Sequence, residues 1–183
     1  MIVLVDEHGQ PTGTAEKYSS HHADTPLHLA FSCYVFDDTG AFLATRRAQT
    51  KEVWPGVWTN SVCGHPAPGE NFTQAIERRL RYELGMGAYD IEVVLPDHVY
   101  RAPVFQGIVE YEFCPVFVAR QASWPAPNPI EVSACALIEW DEFVRSAQQD
   151  TDDDFSWWCK NQLRELIGHP VIERYARSAS QPS

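Results

Sequence analysis

Residues 64–86 read GHPAPGENFTQAIERRLRYELGM, and the second half of this stretch carries a helical period. Phe72, Ala75, Ile76, Leu80 and Leu84 recur at three- and four-residue spacings, which predicts a helix from Asn71 to Leu84 with one apolar face. Gly85 stands where a left-handed residue would end it. Upstream, HLAFSCYVF (28–36) and AFLATRR (41–47) flank DDTG, which predicts a β-hairpin. Residues 50–69 are rich in Trp, Pro and Gly and read as a structured loop around a short strand, WTNSV. Downstream, residues 91–99 and 107–119 read as two strands, and ASWPAPNP (122–129) as a loop. Residues 132–140 read as a strand leading into a helix near Asp141–Gln148. The acidic run DTDDD (150–154) precedes an aromatic helix starting near Phe155, where its charges suit a helix N-terminus. At the N-terminal end, IVLV (2–5) reads as a strand before the turn-rich EHGQPTG, and the last eight residues as a frayed end. This order predicts an α/β protein: a mixed sheet with helices packed against it.

The chain of 183 residues is long enough for one well-buried core, and 44% hydrophobic with 21% charged residues is a globular composition. Fourteen Lys and Arg against 25 Asp and Glu give a formal charge of -11. That excess argues against general nucleic-acid binding and against docking on an anionic membrane. No apolar run approaches the ~20 residues that span a bilayer. The N-terminus lacks the basic region of an export signal, so the five scattered cysteines read as reduced thiols in a cytoplasmic protein.

Residues able to hold a metal come in pairs. Cys63 and His65 are two apart, as are Glu110 and Glu112, and positions i and i+2 of a strand share a face. His21 and His28 flank the start of the first long strand. Three imidazoles and two carboxylates form a set that suits a first-row divalent ion such as Mn²⁺ or Zn²⁺. The spacing sets same-face placement and not convergence, and most lone histidines are surface or satisfied core groups. A second cluster is basic: Arg46, Arg47 and Lys51 after the hairpin, and Arg78, Arg79 and Arg81 on the helix. Concentrated arginine suits bidentate phosphate binding, with solvation and pairing to Glu77 and Glu83 as the plainer reading. Among six tryptophans, one or two could offer a ring face to a cation.

The stretch that opens this section resembles the Nudix box: Gly, five residues, Glu, seven residues, then Arg-Glu-apolar-X-Glu-Glu-X-Gly-apolar. Gly64, Glu70, Arg78, Leu80, Glu83, Gly85 and Met86 match; Arg79 and Tyr82 stand where the box has glutamates. A longer match is more specific. TRRAQTKEVWPGVWTNSVCGHP (45–66), with HLAFS upstream and GIVEYEFCPVF downstream, is similar to the type 1 isopentenyl-diphosphate δ-isomerase family, over roughly residues 1 to 165. That resemblance implies a Nudix-like α/β/α sandwich around a mixed sheet. It implies one domain over 1–183, with a core near 28–162, residues 1–27 contributing to a metal site and a helical segment at 155–177. The implied activity interconverts isopentenyl and dimethylallyl diphosphate; a Nudix-type diphosphate hydrolase is the alternative, weakened by the depleted box. Of the site, the resemblance implies that His21, His28, His65, Glu110 and Glu112 hold a divalent metal, whether Mn²⁺, Zn²⁺ or Mg²⁺. Cys63 and Glu112 would be the two proton-transfer groups, in an order left open, with Tyr100 assisting near Glu112. Trp158, or its neighbour Trp157, would face the carbocation. Glu83 and the Cys63 carbonyl would hold Mg²⁺ on the diphosphate, which Lys17, Arg47, Lys51 and Arg79 would contact. The implied partner is a small diphosphate substrate, with no nucleic acid and no membrane.

Overall fold

The computed structural model describes residues 1–16, 22 and 24–177. Twelve strands form two sheets among these residues. The first, in the order β2-β1-β3-β10-β9, comprises β1 (Ile2–Val5), β2 (Pro11–Ala15), β3 (His28–Leu29), β9 (Val99–Arg101) and β10 (Tyr111–Phe113). The second runs β12-β5-β4-β11-β8: β4 (Phe31–Phe36), β5 (Phe42–Arg47), β8 (Ala88–Leu95), β11 (Val116–Gln121) and β12 (Val132–Ile138). Short β6 (Trp58–Thr59) pairs with β5, and β7 (Val62–Gly64) with β4. The chain crosses from the first sheet to the second twice, at Ala30 and at Cys114–Pro115, and the two crossings are parallel neighbours: β3 beside β10, β4 beside β11.

Alternation along β4 and β11 sorts their side chains between two cores. Phe31, Cys33, Val35, Phe117 and Ala119 pack under helix α1 (Phe72–Leu84), against Ala75, Ile76, Leu80 and Leu84. Tyr34, Phe36, Val116 and Val118 face the other way, toward α2 (Trp140–Gln149), α3 (Trp157–Leu166) and α4 (Pro170–Tyr175). Helices on both faces of a mixed sheet make the α/β/α sandwich expected from the sequence. Burying a side chain such as Leu80 stabilises by about 1.5–3 kcal/mol, and Leu80→Ala would cost about 2–5 kcal/mol once the cavity is counted.

Helix α1 begins and ends as its sequence predicts. Asn71 caps it, with Gln74 returning a hydrogen bond to the cap backbone, and Gly85 closes it at φ 58°. The hairpin between β4 and β5 turns at Asp37–Gly40, where the Asp37 carboxylate accepts from Thr39 and Ala41 N–H. Gly40 sits at φ 91°, and a Cβ there would lie 2.4 Å from the Ala176 carbonyl oxygen.

Three expectations need correction. The predicted strand 91–99 is two strands, β8 and β9, parted at Pro96–His98 and sent to different sheets. The predicted strand 107–119 starts inside a tight turn at Phe105–Ile108 and then holds β10 and β11, broken at Cys114–Pro115 because proline has no N–H for a ladder. The acidic run does not cap α3. Ser156 Oγ accepts from Cys159 N and the first turn holds no acidic residue, so the helix starts at Trp157. Asp150 instead organises the loop, accepting from Asp152, Asp154 and Phe155 N–H and from Lys160 Nζ at 2.8 Å. Helix α4 falls within the segment 155–177 expected to be helical, as a second helix apart from α3; Pro170 opens it and His169 caps it. Most of the terminal run predicted to fray, 178–183, lies outside the described residues.

Candidate active site

Register places the first cluster. On the first sheet His28 stands opposite Glu112, and on the second Ser32 stands opposite Cys63. His28 Nδ1 donates to the Pro26 carbonyl at 2.9 Å, since a carbonyl only accepts. In the neutral ring this leaves the Nε2 lone pair facing inward. That Nε2 lies 3.1 Å from His65 Nε2 and 3.7 Å from Glu112 Oε1, while His65 Nε2 is 3.0 Å from the same oxygen. The three donors lie within 4.8 Å of one another. Two imidazole nitrogens and a carboxylate oxygen facing one point need a proton or a cation between them, and the donor set fits a first-row divalent ion. Glu110 lines the same cavity but is not one of the three converging donors. Burial, and then the charge on Glu112, push its carboxyl up to about 7. Burial would raise Glu112 too, but the hydrogen bonds with His28 and His65 outweigh it and hold Glu112 well below the usual carboxylate range. His21 and Lys17, assigned from the resemblance to the metal and the diphosphate, lie outside the described residues.

The second cluster surrounds the cavity of about 700 Å³ that runs from these ligands to α1. Cys63 stands on β7 and points into it, its thiol pushed up to about 11 by burial, so it is protonated at neutral pH. Its sulfur lies 3.4 Å from Ser32 Oγ and donates to Asn60 Oδ1 at 3.1 Å. Ser32 accepts in turn from Gln162 Nε2 of α3 at 2.9 Å. Tyr100, buried on β9, donates to Glu112 Oε2 at 2.6 Å, so one carboxylate oxygen serves the tyrosine and the other the histidines. Trp158 lines the cavity, whereas Trp157 turns aside against the Tyr100 ring at 5.8 Å.

The third cluster is the cationic end. Glu70 and Arg78 form a two-pronged pair, and Arg78 Nη2 also donates to the His65 carbonyl, fixing the backbone there. Arg79 pairs with Glu83 at 2.6 Å and reaches Glu131 at 3.4 Å, whose carboxylate also takes Lys51 Nζ at 2.5 Å. Burial raises the Glu83 carboxyl despite Arg79. Arg47 donates to the Trp54 and Val53 carbonyls and lies 5.3 Å over the Trp158 ring. Two of the six cations grouped from the sequence do other work. Arg81 is exposed and pairs with Glu77, and Arg46 holds the Gly56 carbonyl.

Asn60, Ser32, Gln162 and Glu131 were missed by sequence reasoning. Asn60 and Gln162 are fully buried amides with no titratable signature, and Ser32 and Glu131 show their partners only once the sheets are paired. The one signal was local: Asn60 sits in the stretch WTNSVCG.

The NUDIX domain family matches residues 26–159. An isopentenyl-diphosphate Delta-isomerase of Agromyces mediolanus is 55% identical over 166 residues, covering 91% of this chain and 80% of its own length. One of Saccharopolyspora erythraea is 49% identical over 166 residues, covering 91% of this chain and 85% of its own length. A crystal structure of a Deinococcus radiodurans protein superposes at TM-score 0.66 over 90% of this chain and 97% of that one, and at 18% identity this likeness speaks for the fold alone. With half of the residues shared across nine-tenths of the chain, and with Cys63, His65, Tyr100, Glu112 and Trp158 brought around one cavity on that fold, the chain belongs to the isopentenyl-diphosphate Delta-isomerase family of Nudix-fold proteins.

Proposed function

We propose that the protein interconverts isopentenyl diphosphate and dimethylallyl diphosphate by moving one double bond. The observation that carries this reading is a thiol and a carboxylate, Cys63 and Glu112, on one cavity whose far end holds Lys51, Arg79 and Glu83. An alkene is a weak base, so its protonation needs a well-placed acid in a dry site. A proton added at C4 leaves a tertiary cation at C3, and loss of a proton from C2 forms the new double bond. One proton enters and one leaves, and the diphosphate is unchanged. Cys63 and Glu112 take these two roles. Tyr100 holds Glu112 in place through its 2.6 Å hydrogen bond. The Trp158 face stabilises the cation without attacking it. Lys51, Arg79, Arg47 and Lys17 anchor the diphosphate, so that remote binding energy positions the alkene.

His28, His65 and Glu112, with Glu110 and His21, would hold one divalent ion, and Glu83 with the Cys63 carbonyl would hold Mg²⁺ against the diphosphate. Bound there, such ions supply positive charge that fixes ligands and screens the diphosphate. β1 and β2 share a sheet with the strands that carry His28 and Glu112, and the family resemblance gives His21 to the metal and Lys17 to the diphosphate. Five free thiols suit a reducing compartment, and the reading places the enzyme in the cytoplasm. Diphosphate hydrolysis is disfavoured because Arg79 pairs with Glu83, the one helix glutamate kept from the end of the box. Incubation with Mg²⁺ and isopentenyl diphosphate tests the reading: an acid-labile allylic diphosphate is expected, and phosphate release or no turnover would overturn it.

A further inference from the structure

Asn60 occupies the two-residue gap between β6 and β7, and it is fully buried. Its amide nitrogen donates to the Val62 carbonyl at 2.9 Å and to the Cys33 carbonyl at 3.3 Å. Its oxygen accepts from Thr59 Oγ1 at 2.9 Å, Cys63 Sγ at 3.1 Å and Trp158 Nε1 at 3.3 Å. The orientation of this amide is fixed by chemistry. An indole N–H can only donate, and two carbonyls can only accept, so a flipped amide would oppose donor to donor and acceptor to acceptor. The oxygen is therefore the one atom that meets both the thiol and the indole.

The surroundings hold that atom still. Thr59 Oγ1 also lies 2.8 Å from Ser156 Oγ, the cap of α3, and Ser156 N donates to the Trp58 carbonyl. The helix that carries Trp158 is thus stapled to β6 beside Asn60, while Cys63 follows three residues later on β7. A sulfur on a strand and an indole on a helix have no common element to set their separation. A single buried oxygen bonded to both supplies that link.

We propose that Asn60 is a positioning residue that sets the Cys63 sulfur and the Trp158 ring, through its one amide oxygen, at a fixed separation on either side of the carbocation site. The hydrogen bonds of the Asn60 side chain go to Thr59, Cys63, Trp158 and two backbone carbonyls, so it acts chiefly on the transition state and reaches substrate anchoring only through Arg47, which lies over the Trp158 ring. The inference rests on the roles given to Cys63 and Trp158 under the proposed function. A misplacement of about 1 Å in a site of this kind lowers turnover by roughly 10²-fold.

The test compares Asn60→Ala with wild type, Cys63→Ala and Trp158→Phe, each loaded with the same metals. Asn60→Leu, which keeps the branched shape but removes the oxygen that meets the thiol and the indole, stands in if Asn60→Ala does not fold. The expected result is a kcat lowered at least tenfold, KM within about threefold, and unchanged metal content. In the double variant with Trp158→Phe, the two losses should combine to less than their product, because both cut the same link. Unchanged kcat, lost metal, KM rising in step with the fall in kcat, or fully multiplicative losses would overturn the positioning role. Cys63→Ala separates the two levels. If it retains near-wild-type turnover, the acid–base reading itself fails. If it is inactive while Asn60→Ala is not, only the inference about Asn60 fails.

Discussion

Tyr100→Phe removes one oxygen and leaves the ring that packs against Trp157. The lost group is the hydroxyl that donates to Glu112 Oε2 at 2.6 Å, in a place where both residues are 7% exposed. A hydrogen bond to a charged group contributes about 1.5–3 kcal/mol. The carboxylate then keeps its histidine-facing oxygen bound and loses the restraint on the other. If that restraint acts fully in the transition state, the expected loss in kcat is about 10- to 150-fold, at about 1.4 kcal/mol for each tenfold. KM should stay within about twofold, because the Tyr100 hydroxyl serves Glu112 and not Lys51, Arg79 or Glu83 at the anchoring end. The assay is steady-state conversion of isopentenyl diphosphate at saturating Mg²⁺, with thermal melting and metal content measured on the same samples. A Tyr100→Phe enzyme with kcat within twofold of wild type and full metal content would refute the claim that this hydrogen bond positions Glu112.

Three further outcomes are expected. His65→Ala should lose most of the divalent metal retained through chelator-free purification, and wild-type-like metal content would remove His65 from the ligand set. Arg79→Glu should raise KM at least tenfold without creating diphosphate hydrolysis; unchanged isomerisation kinetics, or phosphate release, would count against the role given to Arg79. Asp150→Ala should lower the melting temperature by about 4–8 °C, from about 2 kcal/mol lost with the Lys160 pair and the loop bonds. The pH dependence has a definite sign. Burial alone would raise Asp150, but Lys160 and the loop N–H groups prevail and lower it, so its contribution is present at neutral pH and is lost as pH falls through the lowered range. Wild type should therefore lose an increment of stability in acid that Asp150→Ala lacks, and parallel acid limbs would contradict this.

Sequence patterning was most legible where one local rule decides the outcome. The period of Phe72 to Leu84 fixed α1 and Gly85 its end, while Asn71, read as the start of the helix, is its N-cap; Asp37–Gly40 fixed the hairpin. Cys63 with His65, and Glu110 with Glu112, line one cavity, although parity set only a shared face for each pair and His65 and Glu110 lie one residue outside β7 and β10. The breaks inside 91–99 and 107–119 were not legible, because an apolar run looks the same whether it stays in one sheet or passes to another. Parity also could not separate Glu110 from the converging donors, since a shared face does not set a shared distance. Among the cations, Arg79 and Arg81 are near neighbours on one helix with similar chemistry. Only packing shows that one pairs with Glu83 at the cavity and the other with Glu77 in solvent.

The double crossing between sheets explains why the site lies where it does. Positions 28, 30 and 32 keep one parity through the first crossing, and positions 110, 112 and 114 through the second. His28 meets Glu112 in the first sheet, and Ser32 Oγ meets Cys114 Sγ at 3.6 Å just beyond it. Pro115 lets the chain change partners without leaving an orphaned N–H, and its carbonyl still accepts from Ser32 N. His28, Glu112 and the Cys63 thiol therefore sit on one continuous row that spans both sheets, and α3 lies over the second of them. That is the side from which Trp158 and Gln162 reach the row. A slip of one residue at Cys114–Pro115 would turn Val116 and Val118 toward α1 and Phe117 toward α3, exchanging the two cores. The register that holds this row in place is thus enforced by the apolar packing of both faces, and the candidate site inherits its geometry from the core.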